Sequence, residues 1–207
     1  MDFAGVDAVL FDMDGTLVDS DAAVERAWTT WAGERGLDAA GTIALAHGSP
    51  SEPTVRTLMP HLDDDGVRAA VERQMELQYD DLGDVVAAPG AHELIAVLDG
   101  RGLPWAVVTS ADARLARARL GAAGIVAPVL VPVDEVAAGK PDPAGYLRAA
   151  ELLGVAPGRC LVVEDADVGL AAGRAAGAYT AALRGLDGDV RIKSLADLAA
   201  AFGRGRP

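Results

Sequence analysis

Short apolar runs alternate along this chain with stretches of helical periodicity, and that alternation restricts it to an α/β fold. The runs cover residues 6–12, 105–109, 129–133 and 161–164, and a weaker run covers residues 179–183. Helical patterns lie between them at residues 92–98, 113–122, 144–153 and 168–176. Because each run is apolar over most of its length, without alternating polar positions, it predicts a strand that is buried on both faces. The sequence therefore predicts a doubly wound parallel sheet with helices on both sides.

One long stretch, residues 18–87, breaks this alternation, because it contains helical patterns and no convincing strand. Trp28 and Trp31 fall on the apolar face of its first helix. Their spacing favours packing inside the stretch over a platform for a ligand. We predict an α-helical cap domain of residues 18–87, inserted into a core of residues 1–17 and 88–207.

The charge of the chain excludes two classes of partner. Its formal net charge is −13, whereas nucleic acids and anionic membranes both require a basic surface. No apolar stretch approaches the roughly 20 residues of a membrane helix, and Asp7 and Asp12 interrupt the first hydrophobic run. The sequence predicts a cytoplasmic protein whose partner is neither a nucleic acid nor a membrane. It does not indicate whether the protein is a monomer or an oligomer. The lone cysteine, Cys160, reads as a small buried hydrophobe.

Two aspartates follow the first apolar run, at Asp12 and Asp14. The carboxyl ends of the strands are where open α/β sheets bind ligands. Two carboxylates this close repel each other unless a cation lies between them, so the pair predicts a divalent metal. Gly15 allows a sharp turn after the pair, and Thr16 offers a hydroxyl to an anion.

Three further polar groups follow later strands. Thr109 and Ser110 close the second strand with hydroxyls at a helix N-terminus, which suits a phosphate. Lys140, one of only two lysines in the chain, lies in a proline-flanked turn before a helix. Glu164 and Asp165 end another strand and can complete a shell of oxygen ligands. Each group alone could be explained as a helix cap, a surface lysine or a solvated turn. Because all of them follow strands, together they predict one site.

These four motifs, in this order, resemble those of the haloacid dehalogenase superfamily of phosphotransferases, among members with a small helical cap after the first motif. The resemblance covers nearly the whole chain and implies a Rossmann-like core. It implies that Asp12 attacks phosphorus and becomes an aspartyl-phosphate, while Asp14 exchanges protons with the leaving group and with water. Thr109 would hold a phosphoryl oxygen, and Lys140 would neutralise negative charge.

The resemblance also implies a bound Mg²⁺. Its ligands would be Asp12, Asp165 and the main-chain carbonyl of Asp14, supported by Glu164. This chain has Ala166 where relatives commonly have serine. The loss of that hydroxyl is expected to weaken metal binding by roughly 10–100-fold, as changes behind the ligands typically do.

The predicted function is a Mg²⁺-dependent phosphatase acting on small phosphorylated metabolites. Asp14 argues against a dehalogenase, and the absence of lysine from residues 18–87 argues against the phosphonate-cleaving branch. A receiver domain is excluded because its acidic pair and phosphorylated aspartate come in the opposite order. Two alternatives stay open: a sugar phosphomutase similar to β-phosphoglucomutase, and, less favoured, a non-catalytic regulator that binds phosphate.

The substrate is predicted to be a sugar or polyol phosphate, because residues 46–51 resemble the loop that faces the active site in such phosphatases. Thr16 and Ser110 are predicted to bind its phosphate. His47 either donates a hydrogen bond to a substrate hydroxyl or simply ends a helix. Arg56 faces either the site or solvent. Nothing in the sequence identifies the metabolite.

Overall fold

The computed structural model describes residues 3, 5–46, 49–79 and 81–204, and its centre is a six-stranded sheet. In chain order the strands are β1 (Ala8–Phe11), β2 (Val18–Asp19), β3 (Val86–Ala87), β4 (Trp105–Val108), β5 (Leu130–Val131), β6 (Cys160–Glu164), β7 (Tyr179–Ala182) and β8 (Val190–Arg191). The large sheet has the order β5-β4-β1-β6-β7-β8, and all its strand pairs are parallel. β1, β4 and β6 are buried along their whole length, as their apolar sequences predict, and β6 ends on the buried Glu164.

Helices cover both faces of this sheet. They are α1 (Asp21–Glu34), α2 (Ala39–Ala46), α3 (Ser51–Leu58), α4 (Asp64–Tyr79), α5 (Ala91–Gly100), α6 (Ala113–Ala122), α7 (Ala144–Leu153), α8 (Asp167–Ala175) and α9 (Leu195–Arg204). One apolar cluster packs α5, α6 and α9 against the sheet, and a second packs α7 and α8 against it. The predicted α/β fold with a doubly wound parallel sheet is confirmed. None of the described helices is long and apolar enough to cross a bilayer.

The helices α1 to α4 pack around an apolar cluster of their own, which contains Trp28 and Trp31. The two indole rings meet edge to face with centroids 5.2 Å apart. Trp31 also donates a hydrogen bond from Nε1 to the carbonyl of Ala70 at 2.8 Å. Packing between helices therefore accounts for Trp31, as the helical spacing predicts. We call residues 18–87 the insert below; its limits as a domain stay a prediction.

The prediction that residues 18–87 contain no strand is wrong at both ends of this stretch. β2 and β3 pair antiparallel, with Val18 opposite Ala87 and Asp19 opposite Val86. The chain therefore enters and leaves the insert through two adjacent strands. Each has only two residues, too few for any period-two pattern to be visible in the sequence. The sixth strand of the large sheet, β8, was missed for the same reason.

Candidate active site

The predicted motifs meet at the carboxyl edge of the large sheet, where β1 lies between β4 and β6. Phe11, the last residue of β1, is aligned with Val107 of β4 and Val163 of β6. Parallel strands in this register release the following residues at a single edge. A cavity between this edge and the insert is lined by side chains of all four motifs: Asp12, Asp14, Thr109, Ser110, Lys140, Glu164 and Asp165.

Lys140 connects two of these motifs from a buried position. Its Nζ donates to Asp12 Oδ1 at 2.5 Å, to Glu164 Oε1 at 2.7 Å and to the carbonyl of Val108 at 3.2 Å. Burial alone disfavours the ammonium charge, but Asp12 and Glu164 outweigh it and raise the pKa of Lys140 above its usual value. Lys140 is therefore a fixed cation beside the carboxylate of Asp12.

Glu164 holds Lys140 in place, because both its oxygens accept hydrogen bonds from the protein. Oε1 accepts from Lys140 and from the hydroxyl of Tyr146 at 2.7 Å, and Oε2 accepts from the backbone N–H groups of Asp165 and Ala166. The contact of Ala166 uses its backbone and does not depend on the side chain at that position. Gly169 packs directly against this carboxylate, since an added Cβ would lie 1.7 Å from Oε1.

Three buried carboxylates form a candidate metal site. Asp12, Glu164 and Asp165 each offer an oxygen, and these oxygens lie within 4.8 Å of one another. Burial, and next the charge of Glu164, raise the pKa of Asp12 well above its usual value. The same two causes raise the pKa of Asp165 to about 7, although Arg184 opposes the shift. Clustered carboxylates with raised pKa values indicate negative charge that a cation would stabilise, and oxygen donors suit a hard divalent ion. The residues present therefore fit a divalent metal.

Arg184 reaches this cluster from the end of β7. Its Nε lies 2.8 Å from Asp165 Oδ2, and its Nη2 donates to Asp21 at 2.8 Å. Gly15 packs closely against both groups, with φ of +79° and no room for a Cβ, which would lie 2.1 Å from Asp165 Oδ2. The turn after the aspartate pair thus requires glycine for two reasons, its left-handed backbone and this close approach.

Asp14 is held by two side chains that sequence analysis missed. The hydroxyl of Ser20 donates to Oδ1 at 2.6 Å, and Nη1 of Arg119 contacts Oδ2 at 2.8 Å. Ser20 precedes α1 and looks like an ordinary helix-capping residue in the sequence. Arg119 lies within α6, whose helical pattern gave no signal that this arginine points inward.

Thr109 and Ser110 lie where the chain turns from β4 into α6, and both line the cavity. Thr109 is buried, and its Oγ1 accepts a hydrogen bond from the backbone N–H of Ala111 at 3.0 Å. Asp112 caps α6 by accepting from the N–H of Leu115 at 2.8 Å. Thr109, Ser110 and Ala111, which precede α6, line the same cavity as Asp12, and a helix N-terminus at such a place suits an anion.

The structure places two residues that were predicted to contact substrate away from the cavity. Thr16 is fully buried and is not among the residues that line the cavity. Arg56 lies on the exposed face of α3, where it pairs with Glu52 at 2.9 Å and with Asp64 at 3.0 Å. Residue His47, predicted to contact a substrate hydroxyl, lies outside the described residues.

The insert contributes a largely uncharged wall to the cavity. Its side chains there include Glu25, Trp28, Ser51 and Gln78. Trp28 belongs to the apolar cluster of the insert and also lines this wall. Packing inside the insert and contact with a ligand are therefore compatible at this position. Among the described residues, the cations that line the cavity are Arg119, Lys140 and Arg184, and all three come from outside the insert.

Comparison with known proteins gives consistent results. The sequence profile of the haloacid dehalogenase-like hydrolases matches residues 6–177. Hexitol phosphatase A of Escherichia coli strain K12 is 43% identical over 175 residues, covering 84% of this chain and 81% of the relative. 2-Deoxyglucose-6-phosphate phosphatase 1 of Saccharomyces cerevisiae is 35% identical over 192 residues, covering 84% and 78%. The crystal structure of a hydrolase from Pseudomonas syringae superposes with a TM-score of 0.78 at 29% identity, covering 87% of this chain and 86% of the other.

Proposed function

The chain belongs to the haloacid dehalogenase-like hydrolase family, and we propose that it is a phosphatase that cleaves sugar or polyol monophosphates through an aspartyl-phosphate on Asp12. The observation that carries this proposal is the pair of anchored carboxylates in one cavity. Asp12 is held by Lys140, and Asp14 is held by Ser20 and Arg119. One carboxylate is thereby fixed beside a cation as a nucleophile, and the other is fixed nearby to transfer protons.

The reaction proceeds in two displacements. In the first, an oxygen of Asp12 forms a bond to phosphorus, the bond from phosphorus to the substrate oxygen breaks, and Asp14 gives a proton to that leaving oxygen. In the second, water attacks phosphorus, Asp14 takes its proton, and the carboxylate of Asp12 is released. Asp14 is thus restored to its starting protonation state, and inorganic phosphate leaves.

The remaining residues of the site stabilise charge on the phosphoryl group. Thr109 and Ser110, at the N-terminal end of α6, hold its oxygens, and Lys140 neutralises negative charge shared with Asp12. We propose Mg²⁺ as the metal. Its ligands would be carboxylate oxygens of Asp12 and Asp165, with the main-chain carbonyl of Asp14 and with Glu164 in support. Bound there, the ion offsets the repulsion between a carboxylate nucleophile and a phosphate dianion.

The substrate class is supported by the insert wall and by the relatives. Hexitol phosphatase A and 2-deoxyglucose-6-phosphate phosphatase 1 are named for polyol and sugar phosphates. In this chain the polar residues Glu25, Ser51 and Gln78 line the cavity beside Trp28. That combination suits the hydroxyl groups and carbon skeleton of a neutral sugar or polyol.

The phosphomutase alternative requires cations in the insert to retain a second phosphate. Every described arginine of the insert is instead paired with acidic side chains outside the cavity, and these arginines are Arg26, Arg35, Arg56, Arg68 and Arg73. We therefore expect hexose and hexitol monophosphates to yield free phosphate, and a sugar bisphosphate to give no stimulation. Phosphate release and sugar isomers, measured in one time course, test this. Faster formation of an isomer than of free phosphate, accelerated by bisphosphate, would establish the mutase.

Chelation of divalent metal is expected to abolish phosphate release and to lower the melting temperature, and Mg²⁺ is expected to restore both. The ion binds the folded carboxylate cluster, so at 100 times its Kd it should stabilise the fold by about 2.7 kcal/mol. Asp165→Asn should lose most of this thermal shift, whereas Asp167→Asn, at an exposed neighbouring position, should keep it. Full activity in excess chelator would refute the metal requirement.

A further inference from the structure

Arg119 carries a permanent charge and yet is only 2% exposed. A buried guanidinium is costly unless it is paired, and Arg119 is paired on two sides. Nη1 lies 2.8 Å from Asp14 Oδ2, and Nη2 donates to Gln78 Oε1 at 2.8 Å. Asp14 follows β1, whereas Gln78 lies in α4 of the insert. Arg119 therefore joins the proposed acid–base group to the insert.

Arg119, together with Ser20, fixes the orientation of the Asp14 carboxylate. Ser20 holds Oδ1 and Arg119 holds Oδ2, so the plane of the carboxylate is defined from both sides. An ionised carboxylate has about four acceptor positions, and these two contacts leave others for the proton that Asp14 must exchange. Orientation of Asp14 is thus compatible with proton transfer by the same group.

The contact with Gln78 continues as a chain of hydrogen bonds into the insert. Gln78 Nε2 donates to Gln74 Oε1 at 2.7 Å, and the hydroxyl of Ser51 donates to the same oxygen at 3.0 Å. Both glutamines are buried, and Gln78 and Ser51 line the cavity. The orientation of Arg119 is therefore set by α3 and α4 as well as by its own helix.

These contacts favour positioning over direct binding of substrate. Both terminal nitrogens of Arg119 are already engaged with protein oxygens. Its Nε is buried and has no hydrogen-bond partner among the described residues. Arg119 makes these two contacts from a buried position and directs both at protein oxygens, which favours a positioning role.

We propose that Arg119 is a positioning residue that orients Asp14 for proton transfer to the leaving oxygen, and that Gln78 makes this orientation depend on the packing of the insert against the sheet. The proton moves from Asp14 to the leaving oxygen, and Arg119 keeps its own protons throughout. The inference rests on the proposed function, in which Asp14 is the acid. The orientation of Asp14 and the contact between the insert and the sheet domain are thereby coupled through one side chain.

The test compares phenyl phosphate with p-nitrophenyl phosphate, two esters of similar shape. Phenolate leaves poorly without a proton, whereas p-nitrophenolate leaves easily. The ratio kcat/KM reports the steps up to phosphorylation of Asp12. Arg119→Met is expected to lower kcat/KM by about 10–100-fold for phenyl phosphate and by less than about threefold for p-nitrophenyl phosphate. Arg119→Lys keeps a cation near Asp14 and should recover part of the loss.

Three further variants complete the test. Gln78→Leu removes the contact with Nη2 of Arg119 but keeps the Arg119–Asp14 contact. Its kcat/KM should fall by less than that of Arg119→Met, and again more for phenyl phosphate than for p-nitrophenyl phosphate. This variant provides the test if Arg119→Met fails to fold. Asp14→Asn combined with Arg119→Met should lose no more than Asp14→Asn alone, because both act on one step. Arg117→Met is the matched control, since Arg117 is exposed on the same helix; it should retain wild-type rates.

Equal losses for the two esters in Arg119→Met and Gln78→Leu would overturn the inference, provided that Asp14→Asn discriminates between the esters. An additive loss in the double variant would overturn it as well. If Asp14→Asn itself fails to discriminate between the esters, the acid role of Asp14 in the proposed function fails and the inference fails with it. The two failures are therefore distinguishable.

Discussion

Asp12→Asn is expected to reduce phosphate release from sugar phosphates by a factor of about 10³ or more, because an amide cannot attack phosphorus. The fold should persist. Burial, and next the charge of Glu164, raise the pKa of Asp12, which means that its negative charge is costly to bury, although Lys140 offsets part of that cost. A neutral amide of the same shape removes that unfavourable charge. Steady-state assays of phosphate release, with the melting temperature measured in parallel, check both expectations.

The matched control for this variant is Asp65→Asn, at an exposed position of α4 that pairs with Arg68. It makes the same chemical change outside the cavity and should leave activity unchanged. Residual activity above about a tenth of wild type in folded, pure Asp12→Asn would contradict the role of Asp12 as nucleophile, since loss of a covalent nucleophile costs far more than that.

Lys140→Met is expected to damage both activity and stability. Activity should fall by about 10³-fold, because no other cation contacts Asp12 among the described residues. The free energy of unfolding should fall by about 3–5 kcal/mol, since the change leaves Asp12 and Glu164 as buried carboxylates without their shared partner. Methionine has a similar length, so the loss reflects charge more than packing. Urea unfolding and phosphate-release assays measure the two effects.

The chain supplies its own control, because Lys193 is its only other lysine and is exposed. Lys193→Met should change neither the urea midpoint nor the rate. If Lys140→Met kept its activity within about tenfold of wild type, Lys140 would not be the cation that assists Asp12. A large loss of activity with unchanged stability would instead contradict the structural half of the prediction.

Sequence reasoning identified the motifs at strand ends for a clear physical reason. Parallel strands that are buried on both faces must be apolar throughout, so a polar residue directly after such a run marks the strand end. Asp12, Thr109 and Glu164 could be identified in this way. The strand order of the sheet then places the ends of β1, β4 and β6 side by side. Lys140 was visible because lysine is rare in this chain.

The side chains that reach the site from helices gave no such signal. Tyr146 and Arg119 lie in helices whose amphipathic patterns look ordinary, and only tertiary packing determines that they point toward the site. For Arg56 the sequence left both the site and solvent open, and its ion pairs with Glu52 and Asp64 hold it on the exposed face of α3. Helical periodicity predicts which residues share a face of a helix, but it does not predict which part of the protein that face packs against.

The central claim, that Asp12 accepts the phosphoryl group, is tested most directly by stereochemistry at phosphorus. A substrate whose phosphate is made chiral with oxygen isotopes is transferred by the enzyme to an alcohol acceptor, and the configuration of the product is determined. Each in-line displacement inverts phosphorus, so transfer through Asp12 followed by transfer to the acceptor inverts it twice. We therefore expect net retention of configuration. Net inversion would show a single direct displacement and would contradict an aspartyl-phosphate on Asp12.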